Sequence, residues 1–211
     1  MFTRSLGEKA SRLWLLVFLV YLAMLNINQI VNAYTLLLVF TAIAVIPGLR
    51  EPPNLGCMEG FALFLLGLSG HLPLIRFFIL NAPPIQAYVF SLLSAVIEEL
   101  FFRGFLLPRL GLPVQALVFM YSHLNFTDPV FLINTALLAP HYFFLGIITG
   151  KIAAKWGFEG SSIFHASYNI VAISYSLGFD LKSVIWLLLS DLILLLILWL
   201  LFEFLLLKIS V

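Results

Sequence analysis

Two adjacent carboxylates and an arginine stand in an otherwise apolar run, Ile97-Glu98-Glu99-Leu100-Phe101-Phe102-Arg103. At the centre of a bilayer each ionisable side chain costs about 2.5–3.5 kcal/mol on insertion scales, so a cluster of them needs a reason. On a helix Glu99 and Arg103 share a face and can pair. Glu98 is turned about 100° from Glu99 and is not neutralised by the same arginine. A carboxylate left unpaired among apolar groups is a candidate general base. Two further polar groups interrupt later apolar runs. Phe119-Met120-Tyr121-Ser122-His123 closes one of them, and His165-Ala166-Ser167-Tyr168-Asn169 opens another, with His165 and Asn169 on one helix face. Each element has a structural reading as well. A Glu–Arg pair can lock two helices, a membrane histidine can bond across helices, and an asparagine can do the same. Only their combination points to chemistry.

The elements that must position these groups follow from composition. The chain has 211 residues, 63% hydrophobic and 10% charged, with a mean hydropathy of +1.11. Soluble domains are about 25% charged, and disorder requires low hydrophobicity and high charge. The fold class is therefore all-α, a polytopic membrane bundle forming a single domain over residues 1–211. A span needs about 20 apolar residues, and eight segments are predicted: 12–27, 33–49, 57–80, 85–107, 112–124, 130–150, 160–178 and 183–207. The third carries an interruption at Ser69-Gly70-His71-Leu72-Pro73. Lysine and arginine collect on the cytoplasmic side of short loops. Arg4, Lys9 and Arg12 precede the first segment, so both termini are expected in the cytoplasm, together with Arg50, Arg109, Lys151, Lys155 and Lys208. Lys182 is the exception, in an outer loop. Counted from the cytoplasmic ends, Glu98 lies about 14 Å deep, His123 about 17 Å, His165 about 8 Å and Asn169 about 14 Å. The four can meet, in a cavity expected to open toward the cytoplasm. A net charge of +1 argues against nucleic acid as a partner. One cysteine, Cys57, excludes an internal disulfide and a cysteine-based metal cage.

The three elements resemble the CPBP intramembrane proteases, the type II CAAX prenyl endopeptidase and bacteriocin-processing group also called Abi. Its pattern is Glu-Glu-x-x-x-Arg, Phe-x-x-x-His and His-x-x-x-Asn, here Glu98, Glu99 and Arg103; Phe119 and His123; His165 and Asn169. Phe143, Gly146 and Gly150 add to the likeness, which covers about 88–175. The resemblance implies an eight-helix bundle that cleaves peptide bonds in or near the membrane, in a multi-pass protein of a prokaryotic plasma membrane. It implies that Glu98 and His123 activate water, that His165 and Asn169 stabilise the oxyanion, and that Glu99, Arg103 and Phe119 support them. Its substrates are membrane peptides or lipidated proteins, either prenylated C-termini or bacteriocin-like peptides.

Other chemistries remain to be weighed. Glu98, His123 and His165 could hold zinc as two histidines and a carboxylate. No His-Glu-x-x-His is present, and Asn suits an oxyanion site better than a metal, so no cofactor is favoured. A serine type would want Gly-x-Ser-x-Gly, which is missing; Ser161 and Ser162 are expected to cap a helix. An aspartyl type lacks a facing pair, since Asp128 and Asp180 fall at loop ends. A non-catalytic immunity or transport protein could use the same groups as a relay. Asp191 has no motif role and is expected to pair, with Arg76 as the candidate partner. His71 and His141 have no assigned role.

Overall fold

Apolar runs separated by Gly, Pro and Asn become helices wherever the run is unbroken. A computed structural model describes residues 12–44, 55–71, 78–80, 83–177 and 181–209. Helix α1 covers Trp14–Asn26, α2 Ile30–Ala44 and α3 Cys57–Ser69. Helix α4 covers Ile85–Glu99, continues without a break as a π-helix over Leu100–Leu106, and ends in a turn at Leu107–Leu110. Helix α5 is Leu112–Ser122, α6 Pro129–Leu137, α7 Ala139–Ser174 and α8 Leu181–Ile209. Arg4, Lys9, Arg50, Arg76 and Asp180 lie outside the described residues, as does part of the expected third segment.

Each of the eight predicted segments contains helix, with four differences. The third stops at Ser69 rather than 80, because Gly70 and the nearby Pro73 cannot prolong it. Residues Phe78–Leu80 instead form a short strand, β1, paired antiparallel with β2, Tyr175–Leu177. This small pairing is the one departure from all-helical secondary structure among the described residues. The sixth and seventh segments run on as the single long α7, broken where Trp156 and Gly157 leave helical geometry. Gly157 has φ of 71°, a left-handed conformation that a residue without a Cβ adopts readily. The start of the sixth segment is a separate helix, α6, bent 48° from α7. Its first turn is capped by Asp128, which accepts from the Val130 N–H at 2.7 Å.

Helix α7 lies at the centre, with α3, α4, α5 and α8 packed on it. Backbones approach most closely at small residues. A Cβ added to Gly67 would stand 2.4 Å from the Phe164 carbonyl oxygen, and one added to Gly146 would stand 2.9 Å from the Ala116 Cα. Such close approach is how helices attract one another where lipid removes the hydrophobic drive. Aromatic rings from α1, α2, α4 and α5 (Phe18, Tyr21, Phe40, Phe101, Phe102, Phe105 and Phe119) fill the adjoining core.

The distribution of polarity is the reverse of a soluble domain's. Thr41, Ser94, Glu98, Glu99, Arg103, Gln115, His141, Thr149, His165 and Asp191 are buried, while large apolar side chains such as Leu16, Phe61, Leu93, Phe131, Ile193 and Trp199 face outward. Continuous exposed apolar surface of this kind marks contact with membrane or a partner. Among the described residues, Leu181–Leu201 is long and apolar enough to cross a membrane alone. The bent pair α6–α7 also qualifies if counted together.

Replacing Gly67 by Ala should therefore push α3 off α7. The expected loss is about 1–3 kcal/mol of stability, read as a lower thermal midpoint in detergent. Gly60→Ala is the control. Its Cβ would meet the Ile163 Cδ1 at an ordinary 3.6 Å, and the midpoint should not fall.

Candidate active site

A buried charge in an apolar bundle must find a partner, and Glu99 finds two. Its Oε1 lies 3.1 Å from the Arg103 Nη1 one helical turn on, and 2.7 Å from the His165 Nδ1 on α7. The carboxylate thus joins the first motif to the third. Arg103 is fully enclosed. Its Nη2 donates to the Thr149 hydroxyl on α7, and its guanidinium carbon stands 4.4 Å from the centre of the Phe119 ring, a cation–π contact. The same ring meets His123 at 4.6 Å and His165 at 5.9 Å between centroids. Phe119 is therefore the surface against which the arginine and both histidines rest. The π-helical stretch that contains Arg103 begins directly after Glu99, and such widened turns occur often at functional sites.

Glu98 points away from this pair, as the helical offset required. Its Oε1 accepts a hydrogen bond from the Tyr34 hydroxyl on α2. Its Oε2 stands 4.0 Å from the His165 Nε2, too far for a direct hydrogen bond and close enough for one water to bond both.

The hydrogen bonds set the histidine tautomers. The His123 Nδ1 lies 2.9 Å from the Phe119 carbonyl oxygen. A carbonyl can only accept, so Nδ1 carries the proton and Nε2 is left with its lone pair. The ring is held in place by stacking on Tyr142 at 4.1 Å. His165 donates from Nδ1 to Glu99, so its Nε2 can donate only when the ring is an imidazolium.

Glu98, His123, His165 and Asn169 line one cavity of about 310 Å³, with Tyr34, Tyr142 and Tyr168. All four residues singled out from sequence are thus brought together. No phenylalanine lines the cavity among the described residues. Two expectations need correction. The cavity does not lie toward the ends that carry Arg109, Lys151 and Lys155. Its rim comes from the opposite ends, at His71, His123, Leu138 and Ala172, because α5 stops at Ser122 and α6 bends away from α7 at that level. Ser161 caps nothing. Its hydroxyl donates back to the Phe158 carbonyl at 3.0 Å within a continuing helix. Asp191 pairs with the His141 Nδ1 at 2.8 Å, while Arg76 lies outside the described residues.

Asp191, His141 and Tyr168 form a second buried group, the His141 Nε2 lying 3.3 Å from the Tyr168 hydroxyl. Tyr34 and this group escape sequence reasoning. A tyrosine in an apolar helix carries no spacing signal, and Asp191 and His141 are 50 residues apart. An aspartate inside an apolar span did show that some partner had to exist.

No three His, Cys, Asp or Glu side chains among the described residues are gathered closely enough to hold a metal ion. The carboxylate and the two histidines of the zinc reading share the cavity without forming a ligand set.

Two substitutions probe the arrangement. Tyr34→Phe removes a hydrogen bond to a charged group, worth about 1.5–3 kcal/mol; any activity that uses Glu98 should fall by about 10- to 100-fold in turnover, with folding retained. Asp191→Ala leaves the buried His141 Nδ1 without its acceptor and should cost about 1–3 kcal/mol in denaturant unfolding.

No curated protein matches this chain. Residues 80–171 match the family model described as Type II CAAX prenyl endopeptidase Rce1-like. The matched segment holds all three motifs and most of the cavity lining, and it agrees with the resemblance read from the motifs. Residues 80–171 are therefore similar to the type II CAAX prenyl endopeptidase Rce1-like family, a family of integral-membrane proteases.

Proposed function

We propose that this chain is a multi-pass intramembrane endopeptidase in which Glu98 is the general base. The observation that carries the reading is the convergence of Glu98, His123, His165 and Asn169 on one cavity inside an apolar bundle. The proposed bundle crosses the membrane eight times with both termini in the cytoplasm. This is the arrangement that places Arg4, Lys9, Arg12, Arg50, Arg109, Lys151, Lys155 and Lys208 on the cytoplasmic side. A prokaryotic plasma membrane is its proposed location.

In the proposed reaction a water between Glu98 and the scissile carbonyl gives its proton to the Glu98 carboxylate as its oxygen bonds to the carbonyl carbon. The His123 Nε2 lone pair orients that water or takes the proton in its place. The carbonyl π pair moves onto oxygen, where imidazolium Nε2–H of His165 and the Asn169 amide donate to it. Collapse of the tetrahedral species re-forms the carbonyl and breaks the C–N bond, and the proton held by Glu98 or His123 passes to the leaving amine. Glu99 accepts from the His165 Nδ1 and fixes its ring, Arg103 holds Glu99, and Phe119 supports both. Substrates are peptides presented at the membrane, either prenylated CAAX-type C-termini or bacteriocin-like peptides.

One observation favours a second reading. A carboxylate on the Nδ1 of a cavity histidine, as Glu99 sits on His165, is also the pattern behind metal-bound histidines. A metal-independent reaction is proposed because the donors are not gathered into a ligand set.

Reconstituted protein should cleave a quenched membrane peptide. Glu98→Gln, His123→Ala and His165→Ala should each lower turnover by at least about 100-fold without loss of folding. Unchanged cleavage in Glu98→Gln would remove the base assignment. Absence of cleavage for prenylated and unprenylated peptides alike would favour an immunity or transport role. Activity surviving strong chelation, with metal-free protein by mass spectrometry, is the expected result; chelation loss restored by zinc would establish the metal reading.

A further inference from the structure

The cavity and the basic residues lie at opposite ends of the bundle, and contacts between the described residues establish which ends belong together. At one end the Asn26 Oδ1, closing α1, accepts from the Phe126 N–H before α6 at 2.6 Å. At the same end the Tyr88 hydroxyl near the start of α4 lies 2.9 Å from the Ser174 hydroxyl closing α7, and β1 pairs with β2. The Gly70 carbonyl after α3 accepts from Ser190, in the first part of α8. The cavity rim belongs here. His71 follows α3, His123 follows α5, Leu138 precedes α7, and Ala172, exposed, stands near the end of α7. Glu98 and His165 lie further in, His165 about 14 Å along the helix from Ser174.

The other end carries the charge. Arg12 precedes α1, Arg109 closes the extension of α4, and Lys151 and Lys155 close the first half of α7. Arg50 follows α2 and Lys208 closes α8 in sequence. Arg109 bends back along the helix to donate to the Phe105 carbonyl at 2.8 Å, with its guanidinium carbon 3.9 Å from the centre of the Phe105 ring. At the cavity end stand Lys182 and, in sequence, Arg76 between His71 and β1, fewer than at the other end. Arginine and lysine in short loops mark the cytoplasmic side.

We infer that the cavity opens on the non-cytoplasmic side of the membrane, and that its substrate is a membrane-tethered peptide whose scissile bond lies on that side. This rests on the proteolytic reading and narrows it. A prenylated C-terminus carried on the cytoplasmic leaflet would meet the basic end, not the cavity. An exported peptide held at the outer leaflet would meet the rim directly. A cavity of about 310 Å³ admits an extended segment rather than a folded domain, so the cleaved stretch is an unstructured part of that peptide.

The chain's one cysteine provides the test. Cys57 is exposed at the start of α3, at the basic end. Cells expressing the wild type, and Cys57→Ser variants carrying Thr127→Cys in the exposed loop before α6 or Ala172→Cys at the rim, are treated with a membrane-impermeant maleimide. Thr127→Cys and Ala172→Cys should label in intact cells, and Cys57 only after permeabilisation. Leu138→Cys serves if Ala172→Cys does not fold. Labelling of Cys57 from outside, or of the rim positions only after permeabilisation, overturns the inference. In vesicles of uniform orientation, a quenched peptide should be cleaved only when supplied to the cavity side, and cleavage from the basic side overturns it as well. If no peptide is cleaved from either side or in detergent, the proteolytic reading fails, while labelling still decides the orientation.

Discussion

The Glu99 carboxylate is the constraint on which the rest of the site depends. An anion inside an apolar bundle is stable only with its charge matched. Glu99 lies against Arg103 on its own helix and His165 on another. Arg103 in turn needs Thr149 and the face of Phe119, and Phe119 brings the helix that ends at His123. One buried charge therefore ties α4, α5 and α7 together. The motif residues are neighbours because each meets a requirement set by the one before it.

Lipid as the outer solvent makes such a core possible. The apolar residues that a soluble domain would use as its interior are turned outward, and the polar ones are gathered inside. These groups are held by one another. His123 is locked by the Phe119 carbonyl and by Tyr142, and Glu98 by Tyr34. Side chains held by fixed partners are preorganised, and preorganised donors are what a developing oxyanion requires. The cost is that nearly every polar side chain in the cavity wall is also a structural element, Asp191 with His141 being the plainest case.

The interruptions of the bundle matter as much as its helices. The cavity exists because α5 ends early and α6 bends away from α7. These breaks fall at the end remote from Arg109, Lys151 and Lys155, so the geometry of a few loop positions decides at which end of the bundle the cavity lies.

Much of this was legible in the chain itself. The apolar excess dictated a helical bundle, since backbone groups in lipid must be satisfied within each segment. Gly157 and the Gly70–Pro73 stretch marked breaks, and polar residues inside apolar runs pointed to Glu98, His123, His165 and Asn169, because burying such groups without purpose is too costly. What those local rules could not supply was the identity of distant partners. Tyr34 on Glu98, His141 on Asp191, Thr149 on Arg103 and Glu99 on His165 join residues 46 to 66 positions apart. The end at which the cavity opens likewise depended on how short and how bent individual helices are. Spacing along a helix determines which side chains share a face, and the sequence alone carried that. Which face meets which, and which nitrogen of a histidine is left free, was decided only when the helices packed and brought distant polar groups together.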